Sequence, residues 1–263
     1  MKTNYQKTLA LSLFLCLYLI VTGCCIHIGD SNREKYERTE QLSAPITADG
    51  TLNVRTNVGS ITVTGADVTD CNIIATITTK AETIEEAEKR SKDVKIELES
   101  FANTLNVRIE KPGELKNKWL KVDFNITVPK QLNLDCSADV GKINISGIGG
   151  RIEASTDVGK IICKEISGDI DLRADVGTIK VVYAGTAPAA LNANITTDVG
   201  TINFVGPEKL SAELDASTDV GSIKTDRPIT LVGKISKKRL RGTIGTGRGQ
   251  LRLKTDVGSI TIK

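Results

Sequence analysis

The stretch Ala154–Ile161 reads ASTDVGKI, and close copies of its second half recur along the chain. Six times Asp-Val-Gly is followed by one polar residue and an isoleucine, and an earlier copy reads NVGSI. A phrase repeated this often is either a binding code or the same turn used many times. The copies align without gaps as twelve-residue windows, which begin at Leu52, Leu134, Ile152, Ile170, Ala193, Leu214 and Leu251.

Hydrophobicity within each window indicates two short strands joined by a bend. In the window at Ile152, apolar or small residues follow in steps of two as far as Val158 and resume after a step of three at Ile161. A period of two is typical of a strand with one buried face. The longer step predicts a bend at the glycine, which alone accepts a positive φ without steric penalty. In this interpretation Val158 ends the first buried face, and Gly177→Val would cost roughly 1–3 kcal/mol through backbone strain.

The spacing between windows predicts a solenoid. The windows at Leu134, Ile152 and Ile170 start 18 residues apart, and the next starts 23 residues further on. Units that return at short, regular intervals stack on one another and share a core. The sequence therefore predicts a mainly β protein, a right-handed parallel β-solenoid of short coils of about 18–23 residues. Extra residues in the later, longer coils are predicted to be loops on one side.

Residues 64–133 interrupt the repeat and predict a small α+β unit, with one helix and a few strands, that caps the first end of the solenoid. The segment TIEEAEKRSKDV has helical spacing, with Thr83 as N-cap. The predicted organisation is a signal peptide at 1–23, a polar tether at 24–44, the N-terminal α+β unit with the first repeat at 45–133, and solenoid repeats at 134–263.

The first residues predict export and a lipid anchor. Lys2 and Lys7 precede an apolar run, Leu9–Val21, that is short for a membrane-spanning helix. The run leads into VTGC, which resembles the lipobox of bacterial lipoproteins. This resemblance implies that Cys24 is the acylated, palmitate-bearing first residue of a cell-envelope protein, in the outer membrane where the cell has one, because no aspartate follows at Cys25. The alternative is an ordinary signal peptide with Cys24 incidental.

Three features carry a second resemblance: the stretches EEAEKRSKDVKIE and DFNITVPKQLNLD, and the series of glycine turns. From Pro45 to Lys263 the chain resembles the bacterial "putative adhesin" family of envelope proteins, which is related to the GIN domains. The resemblance implies a β-solenoid with a non-catalytic role in surface adhesion or ligand binding. No catalytic residue is known for the family, so none is carried over.

The repeated aspartates and glycines are the first candidate site. Stacked coils would place the aspartates in a ladder with steps of about 4.8 Å. Calcium takes about six to eight oxygen ligands, but each coil supplies one acid to this column. This favours a structural role in which each carboxylate accepts hydrogen bonds from backbone N–H groups of its own bend. The predicted turn residues are Asp139, Gly141, Asp157, Gly159, Asp175, Gly177, Asp198, Gly200, Asp219, Gly221, Asp256 and Gly258.

A run of basic residues is the second candidate site. Between Asp226 and Asp256 there is no acid, and part of the run, ISKKRLRGTIGTGRGQ, lies in the longest connector. One interpretation is a solvated loop. The other is a projecting loop that binds an anionic glycan or envelope polymer. The candidate binding residues are Lys237, Lys238, Arg239, Arg241 and Arg248.

Composition argues against several function classes. The single histidine, His27, excludes a His-based triad or multi-histidine metal site, and no metal or cofactor is predicted. A net charge of +3 gives no argument for nucleic acid. Cys71, Cys136 and Cys163 fall in apolar columns and are predicted core residues. One tryptophan outside the repeats disfavours a polysaccharide-acting enzyme, since sugar platforms usually use aromatic side chains.

The sequence therefore predicts a non-catalytic envelope lipoprotein that serves in surface adhesion or ligand binding. The alternative is a periplasmic or envelope scaffold or stress-sensing module. The membrane, through Cys24, and an anionic polymer are the predicted partners, and the sequence names no protein partner.

Overall fold

The computed structural model describes residues 33–115, 118–231 and 236–263, so the predicted signal peptide and Cys24 lie outside the described residues. Within these ranges the chain forms one α-helix, α1 (Ile84–Lys92), a 3-10 turn at Gly113–Leu115 and fourteen strands. In chain order the strands are β1 (Glu34–Pro45), β2 (Thr51–Ala66), β3 (Asp70–Ala81), β4 (Lys95–Phe101), β5 (Thr104–Glu110), β6 (Leu120–Pro129), β7 (Asn133–Ser146), β8 (Ile152–Ile166), β9 (Ile170–Tyr183), β10 (Asn192–Val205), β11 (Ala212–Thr225), β12 (Thr230–Leu231), β13 (Arg239–Ile244) and β14 (Gly249–Ile262).

Each repeat window is one long strand that bends at its glycine. In β8 the inward side chains are buried as far as Thr156 and again from Ile161. The corner therefore takes up the four residues 157–160, which are exposed or half-exposed. The prediction that Val158 ends the buried face is wrong, because the chain has already turned outward at the aspartate. The seven corner valines instead form an outer column in which each residue is 39–60% exposed.

The windows pair in parallel and in register, so that the corner glycines stack on one another. A Cβ on Gly159 would lie 1.7 Å from the carbonyl oxygen of Gly141, and a Cβ on Gly177 would lie 1.9 Å from that of Gly159. Gly159 has the predicted positive φ, 158°, but Gly177 is not among the positive-φ residues. The close approach of neighbouring backbones, rather than backbone strain, therefore requires glycine at position 177.

The mainly β, solenoid-like fold is confirmed. The seven bent strands that contain the repeat windows, which we call rungs, do not stack in chain order. The sheet order is β1-β3-β6-β2-β7-β8-β9-β10-β14-β11-β13-β12. The last window, β14, is inserted between β10 and β11 and pairs in parallel with both. The connector before it was predicted as a loop, and this is wrong. It forms β12 and β13, and β13 supplies hydrogen-bond partners to an edge of β11 that would otherwise be open.

The N-terminal unit lies at the first end of the repeats. Its strand β5 pairs with the part of β2 before the corner, at residues 51–54, and β6 pairs with the part after the corner, at residues 61–66. The helix α1 follows Thr83, whose side-chain oxygen accepts a hydrogen bond from the backbone N–H of Glu86. The first rung, β2, is thus covered by a strand on each side of its corner.

The prediction of a tether over residues 24–44 is wrong from residue 34 onward, because these residues form β1. This strand pairs antiparallel with β3 over twelve residue pairs. Its alternating charges suit an edge strand, since charged side chains oppose pairing with another chain. The buried Arg38 donates hydrogen bonds to the carbonyl oxygens of Ser91 and Val94, and so holds β1 against the end of α1.

The three cysteines of the described chain are core residues, as predicted. Cys71, Cys136 and Cys163 are buried and unpaired. Burial raises the pKa of the Cys71 and Cys163 thiols to about 12. Because the thiolate is the reactive form, these side chains are inert at neutral pH.

Gly177→Ala is expected to lower the free energy of unfolding by about 1–3 kcal/mol, because the added Cβ meets the carbonyl oxygen of Gly159. Gly185→Ala is the matched control, since a Cβ there has no neighbouring atom within 4 Å. Urea unfolding followed by circular dichroism measures both changes. An equal effect at the two positions would contradict the stacking explanation.

Candidate functional site

The basic residues of the connector form a turn at the far end of the sheet. The carbonyl oxygens of Lys237 and Lys238 accept hydrogen bonds from the backbone N–H groups of Ile223 and Thr218, at 3.1 and 2.9 Å. Both donors belong to β11 and flank its corner. The segment is therefore attached to the last rung, and the prediction of a projecting loop is wrong.

The side chains of this turn are free to meet a ligand. Lys237, Lys238 and Arg239, which we call the basic cap, are exposed. Within the described part of the chain their side chains form no ion pair, and Asp219 at the same corner does not pair with them. Three adjacent positive charges held by backbone hydrogen bonds make this end of the sheet attractive to anions.

The other two predicted binding residues do not belong to the basic cap. Arg241, on β13, donates two hydrogen bonds to Oδ2 of Asp215, from Nε at 3.0 Å and from an Nη at 2.8 Å. These hydrogen bonds raise the pKa of Arg241 and engage its guanidinium. Arg248 precedes β14, and its backbone N–H donates to Oγ of Ser211 at 3.3 Å. The structure thus brings together three of the five predicted residues.

The aspartates form the predicted ladder, but their carboxylates accept hydrogen bonds from side chains of the neighbouring rung or of the same strand. Asp139 accepts a hydrogen bond from Nδ2 of Asn57 at 2.7 Å, and Asp175 accepts one from Nε of Arg173 at 3.1 Å. Within the described residues, none of the six accepts a hydrogen bond from the backbone of its own bend, so that interpretation is wrong. The strand continues through the corner, and its backbone pairs with the neighbouring rungs instead.

The ladder does not gather several acids around one point. Asp256 pairs with Lys254 at 3.0 Å, and Asp219 also attracts Lys254 at longer range, although Asp157 and Asp219 form no hydrogen bond or ion pair among the described residues. Over the same ranges, no group of three or more histidine, cysteine or acidic side chains is placed to hold a metal ion. The arrangement supplies single carboxylates in steps along the outer corner.

Sequence reasoning missed a polar groove on the outer face of the rungs, in the part of each strand that precedes its corner. It consists of two adjoining depressions of about 310 and 350 Å³ that share Gln250 and Arg252 of β14. The sequence contained a signal, because Arg252 is basic whereas the matching outward position in the other windows is an amide or an acid. Its neighbours were hidden, since they depend on the insertion of β14. The residues at this position are Asn53, Asp135, Glu153, Asp171, Asn194, Asp215 and Arg252.

A family model provides the identification. It is the model described as Toastrack DUF4097, and it matches residues 41–263, from within β1 to the last residue. The chain belongs to the Toastrack DUF4097 family. The predicted resemblance to adhesin-like β-solenoid proteins is confirmed at the level of family and fold. Among curated proteins, none matches the chain.

Several solved structures resemble this chain to different degrees. A "putative cell adhesion protein" from Clostridium sporogenes is 15% identical, with a TM-score of 0.51, and the match covers 86% of this chain and 99% of that one. A "putative adhesin" from Bacteroides fragilis (14% identity, TM-score 0.30, 86% and 97% covered) and a "putative lipid binding protein" from Parabacteroides distasonis (16%, 0.29, 86% and 96%) are more distant. Of these three, the Clostridium sporogenes structure is similar enough to support the fold.

The predicted lipidation site, Cys24, lies outside the described residues. Within them, no helix is both long enough and apolar enough to cross a bilayer.

Millimolar calcium is expected to leave the melting temperature of the protein unchanged. At its corner each rung offers at most one carboxylate, whereas calcium needs about six to eight oxygen ligands. A ligand that binds only the folded state raises the melting temperature, so differential scanning calorimetry with calcium or with EDTA is a direct measurement. A calcium-dependent rise that Asp157→Asn removes would contradict the structural role of the ladder.

Proposed function

We propose that this Toastrack protein is a non-catalytic, adhesin-like binding module of the cell envelope, and that its basic cap binds anionic envelope polymers. The single observation that carries the proposal is the exposed group Lys237, Lys238 and Arg239 at the end of the sheet. Within the described chain these residues have no acidic partner. A polyanion that docks there need not displace an existing ion pair.

The architecture supports binding rather than catalysis. The basic cap is fixed by the backbone hydrogen bonds of Lys237 and Lys238 to the last rung, so its charges are held close together on a firm base. A cluster of like charges raises the local concentration of oppositely charged ligands and speeds their association. The attraction falls with added salt, because exposed charges are screened beyond about 10 Å at 0.1 M.

The proposal includes a lipid anchor on Cys24, which rests on the lipobox resemblance. Because β1 begins at Glu34, ten residues from Cys24 to Arg33 would link the lipid to the sheet. Such a segment reaches at most about 35 Å when fully extended. The linker would therefore hold β1 close to the membrane, while the basic cap lies at the opposite end of the sheet, about 48 Å and ten strand spacings from β1. The second candidate function is an envelope scaffold or stress-sensing role, which a short linker to the membrane would also suit.

Reversing the basic cap with K237E/K238E/R239E is expected to abolish retention on a dextran sulfate column at low salt. The matched control is K142E/K160E/K164E, which changes the net charge equally at three exposed lysines of β7 and β8. The control should remain bound and elute at moderately lower salt. Loss of retention in both variants alike would assign the binding to net charge and contradict the basic cap.

Cys24→Ser is expected to remove palmitate labelling and to release the protein from the membrane fraction. The matched control, Cys25→Ser, should leave both unchanged. Protease treatment of intact cells then separates the two roles: digestion fits surface adhesion, and protection fits an internal scaffold or sensor. Continued labelling of Cys24→Ser would contradict the anchor.

A further inference from the structure

The outer-face groove lies where the rung order departs from chain order. Strand β14 forms its floor and carries Gln250 and Arg252 outward. On one side are β9 and β10, with Asn194 beside Arg252 in register. On the other side is β11, with Asp215 beside Arg252. The groove therefore combines side chains that are distant in sequence and that only the insertion of β14 brings together.

Most acids of the groove are already hydrogen-bonded within it. Asp169 accepts bonds from the backbone and side-chain N–H groups of Asn192, at 2.9 and 3.0 Å. Asp171 accepts one from Nδ2 of Asn194 at 3.1 Å, and Asp215 accepts those of Arg241. These bonds hold the two asparagines by their amide nitrogens. Their amide oxygens then remain available as acceptors for a ligand.

The guanidinium of Arg252 is the free cation of the groove. Of the two other arginines that line it, Arg241 is held by Asp215 and Arg151 is paired with Glu153 at 2.8 Å. Within the described residues, the side chains of Arg252 and Gln250 make no hydrogen bond or ion pair. A planar guanidinium presents its donors in a fork that matches a carboxylate.

The remaining lining favours a hydroxyl-rich ligand. Glu213, in register with Gln250, is exposed and adds an acceptor for hydroxyl groups. No aromatic side chain lines either depression, so ring stacking cannot supply the affinity. Binding must then come from charge and hydrogen bonds, and acidic sugars offer both a carboxylate and hydroxyl groups.

We propose that this groove binds an acidic oligosaccharide, with a uronate carboxylate held by Arg252 and sugar hydroxyls held by Gln250 and the amide oxygens of Asn192 and Asn194. The inference rests on the proposed binding function and names the ligand class. It assigns the specific recognition to the groove and the general attraction of polyanions to the basic cap.

The test measures the binding of trigalacturonate to the full-length chain in detergent by isothermal titration calorimetry. Maltotriose is the uncharged comparison. The wild type should bind trigalacturonate and not maltotriose. Arg252→Gln should weaken binding at least about tenfold, because a hydrogen-bonded charged pair is lost. Arg252→Lys should recover part of the affinity, since it restores the charge without the fork. An unchanged melting temperature shows that each variant is folded.

The proposal is overturned if millimolar trigalacturonate does not bind, if maltotriose binds equally well, or if Arg252→Gln changes nothing. The variant K237E/K238E/R239E separates this outcome from failure of the proposed function. It should lose retention on dextran sulfate and still bind trigalacturonate. Arg252→Gln should show the reverse pattern. If the polymer is retained through the basic cap while trigalacturonate is ignored, the groove assignment fails and the proposed function stands.

Discussion

The contact on which this structure depends is the stacking of corner glycines. From the second corner onward, the carbonyl oxygen of one glycine lies so close to the glycine of the next rung that a Cβ there would come within 2.0 Å of it, and at the first corner the carbonyl oxygen of Val122 takes this place against Gly59. No side-chain rotation relieves such a collision, because the backbone fixes the position of the Cβ and the oxygen belongs to a backbone carbonyl. Every rung must therefore place glycine at the same step of its bend. Since a slip of one residue would turn each buried side chain outward, this contact and the inward isoleucines together define a single register.

A register fixed by backbone and core leaves the outward positions free to vary. The column containing Arg252 includes amides, carboxylates and one guanidinium, while the inward columns on either side remain apolar. Stability and recognition therefore depend on different residues. The ends are the exception, because a parallel sheet leaves hydrogen-bonding groups open at its edges. Here β5 and β6 cover one end, and β13 with the turn at Lys237 covers part of the other.

Sequence periodicity predicted the bends and the buried columns, because those depend on local alternation and on glycine. It failed at Val158, since alternation does not show how many residues a corner requires. It failed for Asp139, whose carboxylate bonds to Asn57 of the neighbouring rung, a residue 82 positions away. The polarity of residues 34–44 was correctly recognised, but an edge strand and a tether share that polarity. The insertion of β14 could not be predicted, because a window that fits between two rungs is equally suited to follow the last one.

The inserted rung also determines how the two proposed binding features relate. Arg239 and Arg241 alternate on β13 and face outward opposite Ser217 and Asp215 of β11. Arg252 lies one strand further, so about 10 Å separates it from this strand across two spacings of the sheet. Arg239, the member of the basic cap that lies on β13, therefore shares the outer face with the groove. A polymer held at Arg252 would also reach the basic cap, and joining a weak electrostatic contact to a specific one raises the overall affinity by effective concentration. Had β14 stacked beyond β11, Arg252 would have lost Asn194 as its neighbour, and β11 would have lost the edge on which β13 places the cap.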